Sequence, residues 1–127
     1  MELKIDAQFV EAQEKEFTPE YSVVGIYFGE GDPEKGGEHW NFTQSIGADE
    51  EEGVCTVKEI QQLVLYGNID KFTLSKKQMN CTFNDAVIEK TGVKKLVINY
   101  QISEPQWISL QKMAKKIFNN EPYFRIT

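Results

Sequence analysis

Between Gly53 and Leu74, in the stretch GVCTVKEIQQLVLYGNIDKFTL, two strand-like runs flank the one sharp turn signal in mid-chain, Tyr66-Gly67-Asn68-Ile69. Gly and Asn are the residue types that tolerate φ > 0, so the chain can change direction there at little steric cost. Before the turn, Val54 and Thr56 alternate with Cys55, Val57 and Glu59; after it, Phe72 and Leu74 alternate with Lys71, Thr73 and Ser75. Alternation of period two is the pattern of an extended strand with unlike faces, so this segment reads as a hairpin around which other strands assemble.

The rest of the chain repeats that pattern. Leu3, Ile5, Ala7 and Phe9 alternate with polar residues and predict a first strand, which Val10 to Glu16 extend or leave frayed. Tyr21 to Phe28, YSVVGIYF, is apolar on both sides and fits a central strand, with Gly25 marking a bulge or a close approach. A polar loop over 30–38 leads to a strand over 39–46, where Trp40, Phe42 and Gln44 share one face and His39, Asn41, Thr43 and Ser45 the other. Gln78 to Phe83 forms a strand joined to the preceding one through Ser75-Lys76-Lys77, Asn84 or Asp85 caps a short helix that Gly92 closes, and Val93 to Ile102 supplies a further strand.

Ser103-Glu104-Pro105-Gln106 opens the strongest helix. Ser103 and Gln106 have the spacing of a capping box, Pro105 sits in the first turn, and Trp107, Leu110, Ala114, Ile117 and Phe118 form one apolar stripe. After Asn119-Asn120 and Pro122, Tyr123 to Ile126 reads as a short extended tail. The expected fold is therefore α+β: a single domain over 1–127, with one antiparallel sheet of about five to seven strands, a C-terminal helix across it and one short helix.

Composition narrows the functional classes. No apolar run approaches the roughly 18 residues of a membrane span, and the alternating start MELKIDAQF is unlike a signal peptide, so a cytoplasmic protein with no membrane partner is expected. Cys55 and Cys81 lie in strand-like runs outside any metal-binding spacing and read as buried free thiols. His39 is the one histidine, and there is no HExxH, P-loop, nucleophile elbow or calcium loop, so no catalytic, metal or cofactor site is assigned.

The net charge of −6 is unevenly distributed: residues 1–60 hold 15 acids against 4 lysines, a balance of −11, and residues 61–127 hold 5 acids against 10 bases, a balance of +5. The acidic half is a poor ligand for nucleic acid, whose phosphates need clustered Lys and Arg, and a good one for a basic protein.

The order Glu38-His39-Trp40-Asn41-Phe42-Thr43-Gln44-Ser45, an acidic loop, Cys55-Thr56-Val57-Lys58-Glu59, and then Tyr66-Gly67-Asn68-Ile69-Asp70-Lys71-Phe72-Thr73-Leu74 resembles the Imm10-like family of bacterial immunity proteins. Members show an aromatic-bearing strand ending near a Gln, an acidic insert, a short strand ending in Glu, and a Tyr-Gly-Gly-Ile turn. Here Asn68 takes the second Gly position, and no Arg follows Gln44. The resemblance implies an antitoxin-like protein, without a reaction or cofactor of its own, that neutralises a cognate toxin, such as a basic nuclease. Interface candidates on that reading are Asp49, Glu50, Glu51, Glu52, Trp40 and Tyr66. The alternative is a small-molecule binding module or an enzyme with a pocket between sheet and helix.

Overall fold

The computed structural model describes residues 1–35, 37–47, 53–58, 63–119 and 121–127. Its strands are β1 (Glu2–Asp6), β2 (Phe9–Thr18), β3 (Tyr21–Gly29), β4 (His39–Gly47), β5 (Cys55–Lys58), β6 (Leu63–Tyr66), β7 (Ile69–Leu74), β8 (Gln78–Phe83), β9 (Lys95–Asn99) and β10 (Phe124–Ile126), with helices α1 (Asp85–Thr91) and α2 (Glu104–Ile117). The class is α+β.

Both turn residues adopt the left-handed backbone their chemistry allows, with φ of 69° at Gly67 and 68° at Asn68. The turn nevertheless makes no hairpin. β6 pairs with β5 and β7 pairs with β8, so the chain leaves one sheet at Tyr66 and enters another at Ile69. The corner is held by Gly67 N–H donating to the Val54 carbonyl at 2.8 Å and the Asn68 side-chain amide donating to the Tyr66 carbonyl at 2.8 Å.

A second crossing divides the run that reads as one N-terminal strand. The Ala7 N–H donates to the Asn99 carbonyl and the Gln8 N–H to the Gly29 carbonyl, so adjacent amides bind different sheets. The single antiparallel sheet expected from the sequence is therefore two five-stranded sheets. The first has the order β1-β9-β8-β7-β10 and the second the order β2-β3-β4-β5-β6. The first is also mixed: β1 runs parallel to β9 and β10 parallel to β7. The second is antiparallel throughout.

The core lies between the sheets. Trp40 of β4 stacks on Phe83 of β8 at 5.7 Å, Phe42 meets Phe72 of β7 edge-on at 5.1 Å, and Phe28 of β3 stacks on Tyr100 at 5.7 Å. Both cysteines are buried and unpaired in a disulfide, as their strand positions suggest.

Helix α2 covers the part of the second sheet's inner face that the first sheet leaves open, contacting β2, β3 and β4. Its capping box forms as read: the Ser103 hydroxyl accepts from Gln106 N–H and the Gln106 side chain accepts from Ser103 N–H. Trp107, Leu110, Ala114 and Ile117 are its buried residues, and Phe118 at its end stacks on Phe124 at 4.8 Å and meets Phe72 at 4.3 Å. Asn84 caps α1 and Gly92 ends it in the left-handed conformation.

At Gly25 the register continues without a bulge. A Cβ there would lie 2.2 Å from the Tyr27 hydroxyl, so the glycine makes room for a tyrosine ring laid along its own strand.

Candidate functional site

Alternation along β3 to β6 sends one set of side chains into the core and the other outward. The register aligns the outward residues in rows: Tyr27, Asn41, Val57 and Val64 across the four strands, then Gly25, Thr43, Cys55 and Tyr66. Strands β3, β4 and β6 contain no Lys, Arg, Asp or Glu, and β5 contains only Lys58. Lys58 belongs to the inner set: it is buried, ion-paired with Glu38 at 3.3 Å, with its ammonium 5.8 Å from the centre of the Trp40 ring.

Among the described residues the outward side chains of these four strands thus carry no formal charge; Tyr27, Thr43, Val57, Val64 and Tyr66 are at least partly exposed, while Asn41 and Cys55 are buried. Neither helix lies on it: α1 packs on β8, while α2 meets the inner side, where Gln44 donates to the Ile117 carbonyl at 3.2 Å and Glu14 pairs with Lys116 at 2.6 Å. Val64 and Tyr66 are about half exposed, at 52% and 49%. Loss of charge together with retention of tyrosine is the composition found at the centre of protein interfaces.

One end of this surface gathers further features. Gly47 pairs with Tyr21, Cys55 pairs with both Thr43 and Tyr66, and Gly67 binds Val54, so both flanks of the 48–52 segment leave the sheet beside Tyr21 and Tyr66. Asp49, Glu50, Glu51 and Glu52 themselves lie outside the described residues. At the same end Phe17 is 55% exposed and meets Tyr21 at 5.6 Å, Ile46 is exposed, and Glu16 and Glu20 face solvent.

Trp40 requires correction as an interface candidate. It is wholly buried, because the even-numbered residues of β4 face the first sheet, and a partner cannot reach it without opening the core. Tyr66 is exposed and lies next to the flanks of the acidic segment. Tyr21 lies on the same face, as do Phe17 and Val64, which were not singled out from the sequence. Their signal was the scarcity of charge through β3 to β6, where Lys58 is the one charged residue within the strands.

The charge asymmetry along the chain becomes an asymmetry between layers. β2 and its turn carry Glu11, Glu14, Glu16 and Glu20, whereas Lys71, Lys76, Lys77, Lys94 and Lys95 belong to the first sheet and its connections, and α2 carries Lys112, Lys115 and Lys116. The Lys116 ammonium, hydrogen-bonded to Glu14, holds that carboxyl below its ordinary range.

Other titration shifts have structural causes. Burial pushes the Cys81 thiol far up, and burial raises the Tyr100 phenol, whose hydroxyl donates to the Ser75 carbonyl at 2.6 Å. His39 is buried, with Nε2 2.7 Å from the Gly31 carbonyl oxygen and its ring 5.2 Å from Phe9. Among the described residues no three of His, Cys, Asp or Glu gather as a metal site. Between sheet and helix, where the alternative reading places a pocket, there is an open groove of about 330 Å³ bordered by Val10, Ala12, Gln106, Ser109 and Leu110.

No family model, no curated protein and no solved structure matches this chain.

Proposed function

We propose that this protein is a non-enzymatic binder that neutralises a cognate toxin by covering it, as the resemblance to immunity proteins suggests. The observation that carries the reading is the outer face of β3 to β6, where the outward side chains of the described residues carry no formal charge, ending where an acidic segment is attached. Such a surface matches a basic protein in two ways. Tyr66, Val64 and Tyr27 offer desolvated contact area, and the acids at the rim steer a positively charged partner toward it. A basic nuclease is the partner class this chemistry favours, since occluding its phosphate-binding surface blocks the reaction without any chemistry by the binder.

Co-expression with the product of the adjacent gene, followed by co-purification and kinetics on the purified pair, tests the proposal. Replacing Asp49, Glu50, Glu51 and Glu52 with alanine should slow association and flatten its salt dependence, leaving dissociation nearly unchanged. Tyr66→Ala should speed dissociation, by roughly 30-fold if it is an anchor contributing about 2 kcal/mol. An adjacent product that does not bind, or a complex indifferent to both sets of substitutions, sinks the reading.

A further inference from the structure

Strand β2 borders the second sheet. One side pairs with β3, and among the described residues no backbone hydrogen bond is made from its other side. It is ten residues long, and long exposed strand edges invite another strand unless charges or bulges deter it. The bulge in β2 falls between Glu16 and Thr18, leaving the register from Phe9 to Glu16 regular.

The outward side chains of β2 read Phe9, Glu11, Gln13, Lys15, Phe17. Laid antiparallel against itself about Gln13, this row is self-complementary. Phe9 falls opposite Phe17, Glu11 opposite Lys15 and Gln13 opposite its own copy. Shifting the centre to Ala12 or Glu14 places Phe9 opposite Lys15, or Glu11 opposite Phe17, so this register alone matches ring with ring and acid with base. On the inner side it sets Val10 opposite Glu16 and Ala12 opposite Glu14, with no two acids directly opposed.

We propose that two copies of this chain associate through β2, paired antiparallel about Gln13, to join their second sheets into one continuous sheet of ten strands. The occupant is argued from the edge itself. Glu11 and Lys15 are exposed and neither has an ion-pair partner among the described residues, while Phe9 and Phe17 are exposed large apolar side chains placed symmetrically about the centre. Within the chain the Lys15 ammonium lies 5.2 Å from the centre of the Phe17 ring and Phe9 meets His39; pairing adds an ion pair for Glu11 and Lys15 and a ring contact for Phe9 and Phe17, satisfies the free backbone groups, and gains a fraction of a kilocalorie from each cross-strand pair. The open groove beside Val10 and Ala12 leaves the edge accessible above α2. The pairing uses none of the outward side chains of β3 to β6 and shares only Phe17 with the surface proposed for the toxin.

Analytical ultracentrifugation of the full chain over a concentration series tests this, with a species of twice 14.6 kDa expected. Glu11→Lys alone and Lys15→Glu alone each set like charges opposite one another at two symmetric places, and each should weaken self-association roughly tenfold or more. The double variant restores opposite charges and should regain the original affinity. Both positions are exposed, so the variants fold, which circular dichroism verifies. A chain that sediments at 14.6 kDa throughout, or a double variant no tighter than the single ones, overturns the proposal.

Discussion

Replacing Thr56 with valine should make the protein more stable, against the usual direction of a core substitution. Thr56 lies on β5, between β4 and β6, opposite Phe42 on one side and Leu65 on the other, and is wholly buried. Its hydroxyl Oγ1 has no hydrogen-bond partner among the described residues. A buried polar group without a partner costs about 1–3 kcal/mol, and valine has the same branched shape with a methyl in place of the hydroxyl. The substitution should therefore stabilise by about 1–3 kcal/mol, which for a domain of this size raises Tm by roughly 3–10 °C.

Two controls fix the interpretation. Thr56→Ser keeps the hydroxyl and loses the methyl, and should destabilise by about 1 kcal/mol; Thr56→Ala removes both and should fall between the other two. Urea unfolding with a constant m-value is the assay. A Thr56→Val protein no more stable than the parent refutes the reasoning, because it would mean that the hydroxyl is satisfied in the folded state. Among the described residues Trp40 Nε1 is also a buried side-chain atom without a partner, but no smaller side chain fills its volume, so Thr56 is the cleaner position.

Two further outcomes follow from the titration shifts. The Glu14 carboxyl is lowered in the folded state, chiefly by its hydrogen bond from Lys116, so its contribution is present above the ordinary value of 4.5 and fades as pH falls through the lower folded value. Thermal melts of Lys116→Met should accordingly lose less stability than the parent over that acidic window, and parallel curves would show the pair to be energetically idle. Cys81 is buried and its thiol held protonated, so a thiol reagent at about pH 8 should leave it unlabelled in the native protein and label it on unfolding. Prompt native labelling at Cys81, mapped by mass spectrometry, would contradict the burial.

What the sequence determined by itself was local. The caps of α1 and α2, the apolar stripe of α2, the left-handed pair at Gly67 and Asn68, the β7–β8 connection and the alternation within each strand depend on neighbours a few residues apart, and all are present. Tertiary structure decided what those elements meet. Period-two alternation states that a strand has two unlike faces, but not which one another layer covers, so Trp40 and Tyr66 look equally available until the first sheet is packed on β4. Likewise a turn with two positive φ values reverses the chain without specifying its partners. At Gly67-Asn68 and again at Ala7-Gln8 it is the long-range pairing with Val54, Asn99 and Gly29 that sends the chain into a different sheet. Those hydrogen bonds join residues far apart in the chain, and no local pattern records them.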